Sequence, residues 1–206
     1  MATKIENMYL VISGNTKIHD AFRKVENAIK CIKSTMIATY EASMGKFDES
    51  LDTILARMDK ELNETPFRAI QIPYTYNKRH CKLTFRIHTV QMSDFAWSKP
   101  VVTNETERIY AATYNNTPFG GFYELDNAVE ASNEIMEATF AQAIGTFDGT
   151  SAQIFKQMED GLKSMFHQCQ ITYHEKKKDY KLKFKIHPLF VMDKAWEGKE
   201  VAIENN

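Results

Sequence analysis

Two eight-residue stretches decide the fold, CKLTFRIH at 81–88 and YKLKFKIH at 180–187. Each alternates strictly. Leu83, Phe85 and Ile87 fall on one side of a β-strand, with Lys82, Thr84 and Arg86 on the other. In the later stretch Leu182, Phe184 and Ile186 oppose Lys181, Lys183 and Lys185 in the same way. A strand of this kind buries one face and wets the other, as in an antiparallel sheet covered on one side by helices. The match also runs past the strands. Residues 81–97 fall on 180–196 with eight identities, among them His88/His187, Asp94/Asp193, Ala96/Ala195 and Trp97/Trp196. Ordinary composition would give about one.

A second block repeats at a spacing of 100. Residues 38–62 fall on 138–162, again with eight identities, including Gly45/Gly145, Phe47/Phe147, Asp48/Asp148, Ile54/Ile154, Met58/Met158 and Leu62/Leu162. Outward from these blocks each half reads alike. A short strand (Met8–Ser13, Ile109–Tyr114) leads into polar loops, GNTKIHD and NNTPFGG. A long helix follows, marked by Phe22, Val25, Ile29, Ile32, Met36 and Tyr40 at three- and four-residue spacing. Leu125, Val129, Ser132, Met136, Phe140 and Ile144 mark the second one. Gly45 and Gly145 are expected to end these helices and Asp48 and Asp148 to cap the next ones. Those next helices carry Leu51, Leu55, Met58 and Leu62, or Ile154, Phe155, Met158, Leu162 and Met165. A hairpin with its turn at NKR or KKKD closes each half. The expected fold is therefore α+β, a tandem duplication of a β-α-α-β-β unit over 1–100 and 101–206. Its antiparallel sheet has helices packed on one face, and a duplicated chain favours a pseudo-two-fold arrangement.

Charge is segregated within this frame. Over 206 residues the net charge is −1, which conceals +4 on residues 76–88 and +4 on residues 174–187. The rest of the chain is correspondingly acidic, chiefly in the helical stretch from Glu124 to Asp160. On the closing strands the outward residues are Lys82, Arg86 and His88, and Lys181, Lys183, Lys185 and His187. Cations at about 7 Å intervals along one face suit a polyanion or a phosphorylated ligand. The two histidines would add charge as pH falls toward their pKa. Lysines on a wet sheet face also serve solubility and block edge pairing. Tyr74 and Tyr76, with Tyr173 at the place of Tyr74, are the aromatics available to stack on bases.

Other constellations carry less. The repeated Asp-Xaa-Ala-Trp fits a capping carboxylate and a tryptophan plugging the core. His167, Cys169 and His174, like His80, Cys81 and His88, lack the four-ligand spacing of a zinc site, so no metal or other cofactor is expected. TPFGG at 117–121 is the one stretch where a glycine turn before a helix could receive phosphate. No nucleophile elbow, Walker or dinucleotide motif is present. Three unpaired-looking cysteines and the brevity of the apolar run Met8–Ile12 point to the cytoplasm, and no stretch is long enough to cross a membrane. The expectation is a non-catalytic binding protein presenting two equivalent basic hairpins to an anionic partner, nucleic acid or a phosphorylated small molecule. The alternative is a protein–protein adaptor or inhibitor, such as a viral or bacterial accessory factor.

Overall fold

The computed structural model describes residues 6–14, 17–42, 45–64, 68–92, 108–142, 144–198 and 201. Among them are two antiparallel five-stranded sheets and five helices, an α+β architecture. The chain separates into two compact units. The first comprises Asn7–Thr89 with Phe190–Asn206, the second Met1–Glu6 with Val90–Leu189. The boundaries thus fall at 6/7, 89/90 and 189/190, and each unit includes a short piece from elsewhere in the chain.

The first unit runs β1 (Asn7–Ser13), β2 (Lys17–Phe22), α1 (Val25–Glu41), β3 (Lys46–Phe47), α2 (Leu51–Glu64), β4 (Ala69–Tyr76) and β5 (Arg79–Gln91). Its sheet order is β2-β1-β5-β4-β3. The second runs β6 (Arg108–Tyr114), β7 (Thr117–Phe122), α3 (Leu125–Ala141), β8 (Thr146–Phe147), α4 (Ser151–Lys163), β9 (Gln168–Glu175) and β10 (Lys178–Phe190), in the order β7-β6-β10-β9-β8. A last short helix, α5 (Asp193–Trp196), belongs to the first unit.

The alternation read from the closing strands places the core. Phe85 and Ile87 of β5 meet Ile70 and Ile72 of β4 beneath Ile29, Ile32 and Met36 of α1 and Ile54, Met58 and Leu62 of α2. In the second unit Leu182, Phe184 and Ile186 meet Ile171 beneath Val129 and Met136 of α3 and Ile154, Met158 and Leu162 of α4. Each of these helices faces the sheet with residues three or four apart, as the 3.6-residue period requires.

Several local expectations are corrected. GNTKIHD and NNTPFGG are not loops throughout, because Lys17–Phe22 and Thr117–Phe122 form strands β2 and β7. Phe22 accordingly ends a strand and does not begin α1. TPFGG therefore supplies no phosphate-binding turn. A Cβ at Gly121 would lie 2.6 Å from the Met92 sulfur, so the glycine admits the neighbouring segment with which it bridges. Gly45 and Gly145 are not helix caps either, since α1 and α3 end at Glu41 and Ala141 with right-handed caps at Ala42 and Gln142. Gly45 sits where a Cβ would come within 2.7 Å of the Thr75 carbonyl oxygen, which brings the chain into register as β3 against β4. Nor do Asp48 and Asp148 cap the second helices. Ser50 Oγ accepts from the Thr53 amide at 3.3 Å, and Thr150 forms a capping box with Gln153. Met165 lies beyond α4 and is 84% exposed.

The hairpin turns fall at Asn77–Lys78 and Lys176–Lys177, with both residues of each pair at positive φ. That is the geometry of two-residue turns between right-twisted strands. Beyond the hairpins the two-residue alternation breaks. Ile87 and Val90 are buried while His88 is half-buried and Thr89 exposed; Ile186 and Leu189 bracket His187 and Pro188 in the same way. The histidines therefore mark the places where β5 and β10 change their buried face, next to the boundaries between units.

The capping carboxylate of the second Asp-Xaa-Ala-Trp motif acts across the chain. Asp193, 7% exposed, accepts from the Arg23 and Lys24 amides at 2.5 and 3.1 Å and from Asn27 Nδ2 at 2.9 Å. It satisfies the backbone leading into α1 and complements the positive end of that helix. Trp196 packs on the same unit's core. Asp94, Ala96 and Trp97 lie outside the described residues. Asp193→Ala leaves three donors without this acceptor and is expected to lower unfolding free energy by about 2–3 kcal/mol, measurable by urea denaturation.

Candidate functional site

In a pleated strand the residues that line the core determine which residues face away from it. In β10 the outward set is Asp179, Lys181, Lys183 and Lys185, and register pairs them with His174, Thr172, Gln170 and Gln168 of β9. Lys181, Lys183 and Lys185 are exposed, as are Gln168 and Gln170. The result is three successive rungs, each a lysine beside a neutral polar side chain. Among the described residues no carboxylate forms an ion pair with any of these three lysines.

Beside the last two rungs lies a groove of about 450 Å³, lined by Asn116, Gln168, Cys169, Gln170, Lys183, Phe184 and Lys185. The turn between β6 and β7 walls it. Asn115 donates its amide to the Lys183 carbonyl at 2.8 Å, and its side-chain oxygen accepts from the Lys183 amide at 3.0 Å. Asn116 is thereby held at the rim. Phe184, the aromatic residue that touches the groove, is 1% exposed and belongs to the core. Burial pushes the Cys169 thiol up, so it lines the groove as a neutral group.

The first unit carries a thinner version. Lys82, Thr84 and Arg86 face outward from β5 opposite Pro73, Gln71 and Ala69. Lys82 and Arg86 are exposed, and Arg86 Nη2 donates to the Gly14 carbonyl at 3.3 Å. Thr84 stands where Lys183 stands in the second unit, so the two rows are not chemically equal.

The paired histidines differ from the lysines. His88 is half-buried. His187 is pushed down to about 4, by burial first and by Lys185 second, so it is uncharged at neutral pH. Tyr74 and Tyr76 also differ from the sequence expectation. Register puts them, with Tyr173, on the helix-facing side, away from the lysines. Tyr74 stacks on Phe47 at 5.6 Å and Phe47 on Tyr40 at 4.9 Å; Tyr173 stacks on Tyr180 at 5.1 Å. Among the described residues Tyr74 and Tyr173 extend the core, Tyr76 is 52% exposed on the same side, and none of the three offers a ring over the cationic face.

At the turn end of the second face stands a cluster that sequence reading missed. His174 Nε2 lies 2.6 Å from Asp148 Oδ1, and its Nδ1 lies 2.7 Å from Asp179 Oδ1. Ionised carboxylates only accept, so both ring nitrogens must carry protons for both bonds to form. Asp148 first and Asp179 second hold the imidazole above its usual range. Asp179 is directly across the ladder from His174, and Asp148 follows β8, which pairs with β9 at the same point. In the first unit Thr75 faces His80 there, and among the described residues the clamp has no counterpart. Among the described residues no three histidine, cysteine or acidic side chains converge as a metal site. No described helix is long and apolar enough to cross a membrane.

The chain matches none of the protein-family models, curated proteins or solved structures with which it was compared.

The clamp sets a pH dependence with a definite sign. A raised folded pKa means that His174 contributes fully below its unfolded value near 6.5, and that the contribution fades as pH rises through the folded value. In a proton-detected NMR titration His174 is expected to titrate above about 6.5, and Asp148→Asn is expected to bring it down toward that value.

Proposed function

We propose that this chain is a non-catalytic binding protein that takes an anionic partner on its outward sheet faces. The observation that carries this reading is the row Lys181, Lys183 and Lys185, exposed along one strand and set beside neutral amides and a hydroxyl. An uncompensated row of ammonium groups concentrates anions and steers them to the face. Lys82 and Arg86 extend the same chemistry to the first unit. His88 and His187 serve the rows by position, at the point where each strand turns its buried face. With the tyrosines on the other side, the reading favours contacts to phosphate or sulfate groups over stacking on bases.

We also infer that the two units arose by tandem duplication of one ancestral segment. The paired blocks of identity support this, as do the matching strand orders and the shared burial pattern of β1 and β6. On this view the Lys183/Thr84 difference reflects divergence between halves, with the second specialised for the ligand.

One observation favours a second reading, a protein–protein adaptor. Met165 and Phe166 stand adjacent at the end of α4, 84% and 67% exposed, and exposed apolar pairs of this kind commonly mark contact sites.

Fluorescence anisotropy with labelled heparin oligosaccharide tests the leading reading. The variant Lys181→Glu/Lys183→Glu/Lys185→Glu is expected to bind at least about tenfold more weakly, with a flatter salt dependence. Adding Lys82→Glu and Arg86→Glu removes what remains. Binding unchanged after reversal of both rows overturns the proposal and moves the adaptor reading forward.

A further inference from the structure

We propose that the groove beside Lys183 and Lys185 is a binding site for a small phosphorylated polyhydroxyl compound, of the sugar-phosphate class. The inference rests on the anion-binding reading and narrows it to one compartment and one kind of ligand.

Three observations lead there. The groove spans only two of the three rungs. Lys183 and Lys185 line it, whereas Lys181 and Thr172 do not. A continuous polymer would use the whole row, but a compartment of about 450 Å³ has the size of a small-molecule site. Second, the groove has a fixed wall. The Asn115 hydrogen bonds tie the β6–β7 turn to the backbone of Lys183 and hold Asn116 at the edge. A wall set before the ligand arrives lowers the ordering cost of binding.

Third, the lining divides by chemistry. The two lysines leave the strand about 7 Å apart, and their flexible stems can converge so that both ammonium groups grip one phosphate. Asn116, Gln168 and Gln170 each bring both a donor and an acceptor, the pairing that a hydroxyl requires because it both gives and receives hydrogen bonds. Among the described residues no carboxylate lines the groove, and its aromatic residue is buried in the core. Neither a cationic ligand nor a flat aromatic one finds a complement here.

The same positions in the first unit lack the elements. Thr84 replaces Lys183, Ala69 replaces Gln168, and Gly14 lies beside Thr84 where Asn115 lies beside Lys183. The compartment is therefore assigned to the second unit alone, so one ligand per chain is expected.

Two-dimensional NMR of the full chain, titrated with glucose 6-phosphate, ribose 5-phosphate and glycerol 3-phosphate at millimolar concentration, tests the assignment. At least one is expected to shift the side-chain amide signals of Asn116, Gln168 and Gln170 and the backbone amides of 183–185, saturating at one equivalent. Lys183→Gln and Lys185→Gln should each weaken that ligand by about tenfold, while Lys60→Gln, at an exposed position on α2 of the first unit, leaves it unchanged. The unphosphorylated sugar should bind much more weakly. If all three compounds leave these signals still while heparin binds the lysine row, the compartment assignment is overturned and the broader anion-binding reading stands. If heparin also fails, both fall. Shifts confined to exposed lysines along both rows, without saturation, likewise overturn the site, because they report a diffuse counter-ion atmosphere.

Discussion

The constraint on which everything else depends is the pleat of β5 and β10. Successive side chains of a strand must point to opposite faces. Once Leu182, Phe184 and Ile186 enter the core of the second unit, Lys181, Lys183 and Lys185 have no choice but to face away from it. A slip of one residue would bury three ammonium groups, each at a desolvation cost of several kcal/mol. The hydrophobic core and the cationic face are thus two consequences of one register. Any ligand chemistry on that face inherits the rigidity of the core behind it.

The ends of these strands are treated differently from their middles. Past Ile87 and Ile186 the buried face changes, with the half-buried histidines at the transition. From there the C-terminal segment carries Asp193 to the N-terminus of α1, where a buried carboxylate collects two backbone amides and the Asn27 side chain. The charge that the sequence spends on α5 therefore organises a helix almost the whole chain length away. Three hydrogen bonds and a helix terminus replace the water that this acid loses on burial.

Much of the secondary structure was legible, and the misses have a common physical origin. The helical faces containing Met58/Met158 and Leu62/Leu162 and the alternation of the closing strands are long periodic patterns, and long patterns leave few alternatives. Strands β2 and β7 were missed because KIHDAF and TPFGGF combine turn-forming residues with apolar ones; pairing with β1 and β6 decides their conformation. The glycines and aspartates between paired helices offered a plausible capping scheme. Packing chose otherwise, because pairing Phe47 with Tyr74 and Phe147 with Tyr173 shifts the start of the next helix to Ser50 and Thr150. The Asp148–His174–Asp179 clamp left no trace in spacing, since its members lie on three segments that only strand register brings together.

By itself the sequence determined the α+β class, the helical and strand faces that form each core, and the existence of an exposed cationic row. These properties follow from local periodicity and from the cost of burying charge, and both act residue by residue along the chain. Tertiary structure alone decided which polar groups share that face. It put Gln168 and Gln170 beside Lys185 and Lys183, brought Asn116 to their edge, turned Tyr74 and Tyr173 to the other side, and lowered His187 out of the charged row. Those outcomes depend on cross-strand register and on burial by residues distant in sequence, and no pattern within a single strand encodes either.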